Sequence, residues 1–143
     1  MKKIICIDDN PQITEQLRTN LEAAGFDIFE AQNGVEGLKT VQDNTDCLLI
    51  IVDLNMPRMG GFEMLEILLQ DNIATNVPKI IFTTETLMEG ENAKKMKEKG
   101  KSMGVQTWFT KPLTPKRMGI LLETVKKLIK QCNSLFFSKK RRY

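Results

Sequence analysis

The sequence predicts an α/β domain built on a parallel sheet. Five apolar runs alternate with five segments of helical periodicity, the pattern that places a helix between each pair of neighbouring parallel strands. Two of the runs, Ile4-Ile5-Cys6-Ile7 and Cys47-Leu48-Leu49-Ile50-Ile51-Val52, show no polar alternation, as expected of strands buried on both faces. Both end in acid, at Asp8-Asp9 and at Asp53. The carboxyl ends of parallel strands share one edge of a sheet, where open α/β folds bind ligands.

Strand one is expected from about Lys3 to Asp8. Asn10-Pro11, a capping residue followed by proline at the first helical position, opens a helix with Ile13, Leu17 and Leu21 on one face, and Gly25 closes it. Strand two is expected from Phe26 to Ala31, a short helix from about Val35 to Asp43, and strand three from Cys47 to Asp53. The stretch from Gly61 to Gln70 carries Phe62, Met64, Leu65, Ile67, Leu68 and Leu69 and is read as helix. Val77-Pro78 leads into strand four, Lys79 to Thr83, whose end Thr83-Thr84-Glu85-Thr86 is polar. A lysine-rich segment from about Met88 to Lys101 reads as a mostly exposed helix, closed by Gly100 or Gly104. Strand five is Val105 to Thr110. Thr114-Pro115 then starts a last helix with Met118, Leu121, Leu122, Val125, Leu128, Ile129 and Cys132 in one apolar stripe.

The 143 residues, 41% of them hydrophobic, fit one domain with a proper core, expected over residues 1–133, with a basic tail over 134–143 expected to be disordered. No stretch has the form of a signal peptide or a membrane span, so a cytoplasmic location is expected. Cys6, Cys47 and Cys132 lack any paired metal-ligand spacing and are read as free thiols. The chain has no histidine, which removes the Ser-His-Asp triad, the HExxH zinc site and any role as a phosphohistidine carrier. Residues 1–110 hold 11 basic and 17 acidic side chains, whereas residues 111–143 hold 10 basic and 1 acidic. The positive charge is therefore local to the end of the chain. With no Gly-rich phosphate loop, nucleotide binding is not expected, and with no visible recognition helix neither is nucleic-acid binding. The tail, with Phe136 and Phe137 among basic residues, leaves contact with a partner or an anionic membrane open.

At ~5 Å and an effective dielectric of ~20, two carboxylates repel by roughly 3 kcal/mol, so three at one sheet edge call for a cation between them. Hard oxygen ligands with room for water and a phosphoryl oxygen suit Mg²⁺. The cluster reads as a phosphoryl-transfer site with Asp53 as nucleophile.

Asp8-Asp9, Asp53-Leu54-Asn55-Met56-Pro57, Thr83 and Lys111-Pro112 together resemble the receiver domain of bacterial two-component response regulators, of the single-domain, chemotaxis CheY-like kind. The resemblance covers roughly residues 2 to 131. It implies the flavodoxin-like doubly wound fold, five parallel strands in the order 2-1-3-4-5 with five flanking helices. By the same resemblance Asp53 is the phosphoacceptor. Asp9, Asp53 and the backbone carbonyl of Asn55 bind Mg²⁺ directly and Asp8 through water, while Lys111 and the Thr83 hydroxyl contact the phosphoryl oxygens. A cis Lys111-Pro112 bond is usual in the family. Trp108 matches its switch aromatic, which turns inward as Thr83 moves. Asn55 and Glu85 fall where the family tunes the access of water to the acyl phosphate, and Thr84 is bulkier than the small residue usual there. Moderate autodephosphorylation is expected. The stretch from Thr83 to Lys111 is longer than usual, and the extra residues are expected in the fourth helix or its exit loop.

The resemblance implies a monomeric signalling protein, not an enzyme acting on an external substrate, that takes its phosphoryl group from a sensor histidine kinase or histidine phosphotransfer protein. Some ten residues after the domain cannot form an output domain, so the protein is expected to act alone on a downstream protein, for example a flagellar motor switch. A phosphorelay intermediate, a phosphate sink and an interaction module without phosphorylation are the alternatives. A phosphatase of the haloacid dehalogenase type needs a second Asp where Asn55 stands.

Overall fold

The apolar runs become adjacent strands of one five-stranded parallel sheet in the computed structural model, which describes residues 2–84 and 90–140 and gives residues 132–140 as helical backbone. In chain order the elements are β1 (Lys3–Ile7), α1 (Pro11–Ala23), β2 (Asp27–Ala31), α2 (Gly34–Asp43), β3 (Leu49–Asp53), α3 (Gly61–Gln70), β4 (Lys79–Thr84), α4 (Gly90–Ser102), β5 (Val105–Lys111) and α5 (Pro115–Lys140). The strand order is β2-β1-β3-β4-β5. The chain thus reverses direction of travel across the sheet between β1 and β3, and the crevice beyond those strand ends is where this topology can hold a ligand.

Period-two alternation divides the strands between two cores. Ile4, Cys6, Leu49, Ile51, Ile80 and Phe82 face α1 and α5, packing with Leu17, Leu21, Leu121 and Val125. Ile5, Ile7, Ile50, Val52 and Ile81 face the other way, with Val41, Met64, Leu65 and Leu68 of α2 and α3. Cys6 and Cys47 are buried free thiols within these cores, whereas the side chain of Cys132 lies outside the described residues. In β5 the parity breaks. Lys79 pairs with Val105 but Ile80 pairs with Thr107, so Gln106 is an extra residue. This bulge puts Val105 and Trp108, three residues apart, on one side of the sheet.

Local chemistry sets the helix starts. Asn10 Oδ1 accepts from the Gln12 N–H at 3.0 Å, with Pro11 next in the chain. Asn33 Oδ1 accepts from the Glu36 N–H at 2.9 Å while Glu36 Oε2 accepts from the Gln32 N–H at 3.1 Å, a capping box around the start of α2. Thr114 Oγ1 does the same for the Arg117 N–H at 3.2 Å, ahead of Pro115. β3 begins two residues later than expected because the Cys47 N–H is held by the Asn44 carbonyl in the turn after α2.

One expectation narrows and one changes. The link from α4 to β5 is only Met103-Gly104, so the additional length does not lie in the exit loop. Helix α5 continues to Lys140, through most of the stretch expected to be disordered. Neither glycine nor proline occurs after Gly119, and Lys139 and Lys140 stand where cations suit a helix carboxyl end. Residues 141–143 lie outside the described residues.

Candidate functional site

Four neighbouring strands deliver the site residues to one edge of the sheet. Asp8 and Asp9 follow β1, Asp53 ends β3, Thr83 lies near the end of β4 and Lys111 ends β5. Gly61, the first residue of α3, is what lets this helix start against β3: a Cβ there would lie 2.4 Å from the Asp53 carbonyl oxygen. Asp8, Asp9 and Asp53 each present a carboxylate oxygen within 4.8 Å of the other two. Asp8 and Asp53 are buried, and Asp9 is exposed at the mouth. The Lys111 ammonium bridges the buried pair, 2.9 Å from Asp8 Oδ2 and 3.3 Å from Asp53 Oδ2. Asp8 Oδ1 accepts from the Asn10 N–H at 2.9 Å. The Lys111-Pro112 peptide bond is cis.

These surroundings set the proton affinities. Burial pushes the Asp53 carboxyl up to about 6, helped by the Asp8 charge and opposed by Lys111 and the Asn55 N–H. Burial also raises Asp8, against the pull of the Asn10 N–H and Lys111. For Lys111 burial works against the ammonium, but the two carboxylates outweigh it and raise its proton affinity. Among the described residues one cation, Lys111, is paired with the two buried carboxylates while a third carboxylate stands at the rim, an arrangement short of positive charge.

Thr83 Oγ1 is buried without a hydrogen-bond partner, alone among the buried side-chain polar atoms of the described residues. Leaving such a hydroxyl unpaired costs about 1–3 kcal/mol, and native proteins rarely do so without a reason. The all-oxygen donor set of three carboxylates fits a hard divalent cation such as Mg²⁺. The orphan hydroxyl fits an oxygen anion arriving on the β4 side.

The remaining expected positions lie around this centre. Asn55 and Thr84 are exposed beside it, and Glu85 lies outside the described residues. Trp108 is half-buried, edge-on to Phe62 of α3 with ring centroids 6.0 Å apart. Gly100 of α4 passes so close to the indole that a Cβ would meet Trp108 Cζ2 at 2.8 Å. A groove of about 790 Å³ opens alongside, between α1 and the β5–α5 link, lined by Asn10, Ile13, Gln16, Lys111 and Pro112 among others. The sequence did not reveal the Asp53–Gly61 contact, although a glycine opening a helix just after an acid-ended strand was a usable signal. Nor did it reveal that Lys79 is buried.

Residues 4–123 match the family profile of the response regulator receiver domain. The chain belongs to the response regulator receiver family. Within it, the chain is similar to the chemotaxis protein CheY1 of Helicobacter pylori strain J99, at 31% identity over 86% of this chain and 95% of that protein. It is also similar to the chemotaxis protein CheY homolog of Campylobacter jejuni, at 30% identity over 86% and 91%. Among solved receivers, Vibrio cholerae chemotaxis protein CheY4 superposes with a TM-score of 0.74 at 30% identity, covering 90% of this chain and 98% of that one. The receiver fold and the strand order expected from the motifs are both observed. Among the described residues no helix is long and apolar enough to cross a membrane.

Proposed function

We propose that this receiver accepts a phosphoryl group on Asp53 from a histidine kinase or histidine phosphotransfer protein and signals by phosphorylation-dependent binding to another protein. The observation that carries the reading is the buried Asp8–Lys111–Asp53 cluster beside an orphan Thr83 hydroxyl. An Asp53 carboxylate oxygen attacks phosphorus, the bond from phosphorus to the donor breaks, and an acyl phosphate remains on β3. Lys111, already 3.3 Å from Asp53, moves its ammonium onto a phosphoryl oxygen. Thr83 supplies its unused O–H to another. Positioning and charge neutralisation carry the reaction, because phosphoryl transfer needs little covalent help from the protein.

Asp8, Asp9, Asp53 and the Asn55 carbonyl would hold Mg²⁺, which when bound offsets the charge of the transferring group. The groove between α1 and the β5–α5 link, with Lys111 in its lining, offers a protein donor a surface beside the site. The chemotaxis proteins among the relatives favour an output partner in chemotaxis, and a flagellar motor switch is the leading case, met by the receiver as a cytoplasmic monomer. Asn55 beside the acceptor favours reset, and Thr84 shields it, so an acyl-phosphate lifetime between minutes and a few hours is expected. A lifetime of many hours would contradict that balance.

Intact mass after incubation with acetyl phosphate and Mg²⁺ tests the assignment. One phosphoryl adduct is expected, absent in Asp53→Ala and absent with chelator. An adduct that persists in Asp53→Ala places the acceptor elsewhere.

A further inference from the structure

Lys79, the first residue of β4, is 3% exposed, and among the described residues its ammonium reaches a single hydrogen-bond acceptor, the Ala74 carbonyl at 2.8 Å. That carbonyl already accepts from the Val77 N–H. An ammonium has three donors, and among the described residues no carboxylate pairs with this one. Burial pulls its proton affinity below that of an ordinary lysine. A buried cation without a counter-charge is costly and is seldom kept without a use. Lys79 lines a cavity of about 290 Å³ between the carboxyl ends of α3 and α4. Leu68, Ile73 and Met103 form apolar wall, Lys101 adds a second positive charge, and half-exposed Leu69 stands at the rim.

We propose that this cavity is a binding site for a small carboxylate with an apolar body, its carboxylate on Lys79 and its hydrocarbon along Leu68, Ile73 and Met103. A charge-assisted hydrogen bond answers the unpaired cation, and burial of the apolar body adds affinity in proportion to its area. The volume lies at the lower limit of ligand pockets, so the occupant is a short acyl chain or a single ring. The site is separate from the acceptor. Lys79 and Thr83 are four residues apart on one strand, about 13 Å, on the same face of the sheet.

Hexanoate and hexanol share a hydrocarbon and differ in charge, so they serve as probe and control, without phosphodonor. Titration of the full chain, followed by backbone amide shifts, should give saturable changes at Ile73, Lys79, Met103 and Gly104 with hexanoate and at least tenfold weaker binding of hexanol. Lys79→Met, which keeps the length and removes the charge, should weaken hexanoate at least tenfold and leave hexanol unchanged. Leu69→Glu, at an exposed position that does not challenge folding, should weaken hexanoate and not hexanol. Equal binding of the two probes, or hexanoate binding indifferent to both substitutions, would overturn the site. Because no phosphoryl transfer enters the test, its failure leaves the reading of Asp53 untouched.

Discussion

Thr83 carries a stability cost in the resting protein that a phosphoryl oxygen would remove. Thr83→Val keeps the shape and deletes the unpaired hydroxyl, so the unphosphorylated variant should be more stable by about 1–2 kcal/mol, read as a higher urea midpoint. An unchanged or lower midpoint would show that the hydroxyl is satisfied in solution. Thr83→Ala should still take up phosphate but fail to couple it to partner binding. Asp53 holds strain of an electrostatic kind. With its native carboxyl near 6 and an unfolded value near 3.9, the native state binds the extra proton, so its contribution to stability is full below about pH 4 and is lost as pH rises through about 6. In chelator, stability should therefore fall across that window. Asp53→Asn should flatten the fall and stabilise the protein at pH 7 by about 1–3 kcal/mol, with Lys111 still paired to Asp8. A slope unchanged in the variant would assign the titration to another carboxyl. None of this was visible in the sequence beyond the presence of the residues. Motif spacing located Asp53, Thr83 and Lys111, but whether a side chain has a partner depends on packing from distant elements.

At the level of elements, what was legible followed from burial on both faces. β1 and β3 were plain because an uninterrupted apolar run has few other readings, and α1 because Asn10-Pro11 marked its start. Strand order was not legible from periodicity, since a period of two says which face a residue takes and not which strand lies beside it. The resemblance supplied it. The bulge at Gln106 was equally invisible, yet it decides that Trp108 meets Phe62 and not the α5 side. Lys79 was missed because a lysine after proline at a strand start ordinarily lies in solvent. Gly61 gives the clearest test here. Gly61→Ala drives a methyl into the Asp53 carbonyl oxygen, so α3 must shift, at a cost of about 1–3 kcal/mol, with slower uptake from acetyl phosphate. Gly100→Ala, which crowds the indole and Val105 but not the Asp53 strand, should change emission of the single tryptophan and leave that rate unaltered. An unchanged rate in Gly61→Ala would mean that the loop after Asp53 is insensitive to where α3 begins.

Across the whole molecule, the acidic cluster lies at one edge of the sheet and helix α5 runs from that edge toward the other. Helix α5 starts beside Lys111 and runs back along the sheet, so residue 134 is about 29 Å along its axis from Pro115. Deleting residues 134–143 should leave Mg²⁺ affinity unchanged by calorimetry, and a large loss would place that segment near the site. Helix α4 is held very unevenly. Few of its side chains are buried, yet its carboxyl end is tied to β5 through two residues, with Met103 buried and the Gly104 N–H on the Lys101 carbonyl. A pivot about that end must displace buried Ala93 and the packed side chain of Met96. Over 13 residues, about 20 Å, a tilt of about 10° at Met103 carries the far tip roughly 3 Å while the near turn hardly moves. The cavity lined by Lys79 lies at that fulcrum, where a displacement by a wedge of a few atoms is most amplified at the distant tip of the lever.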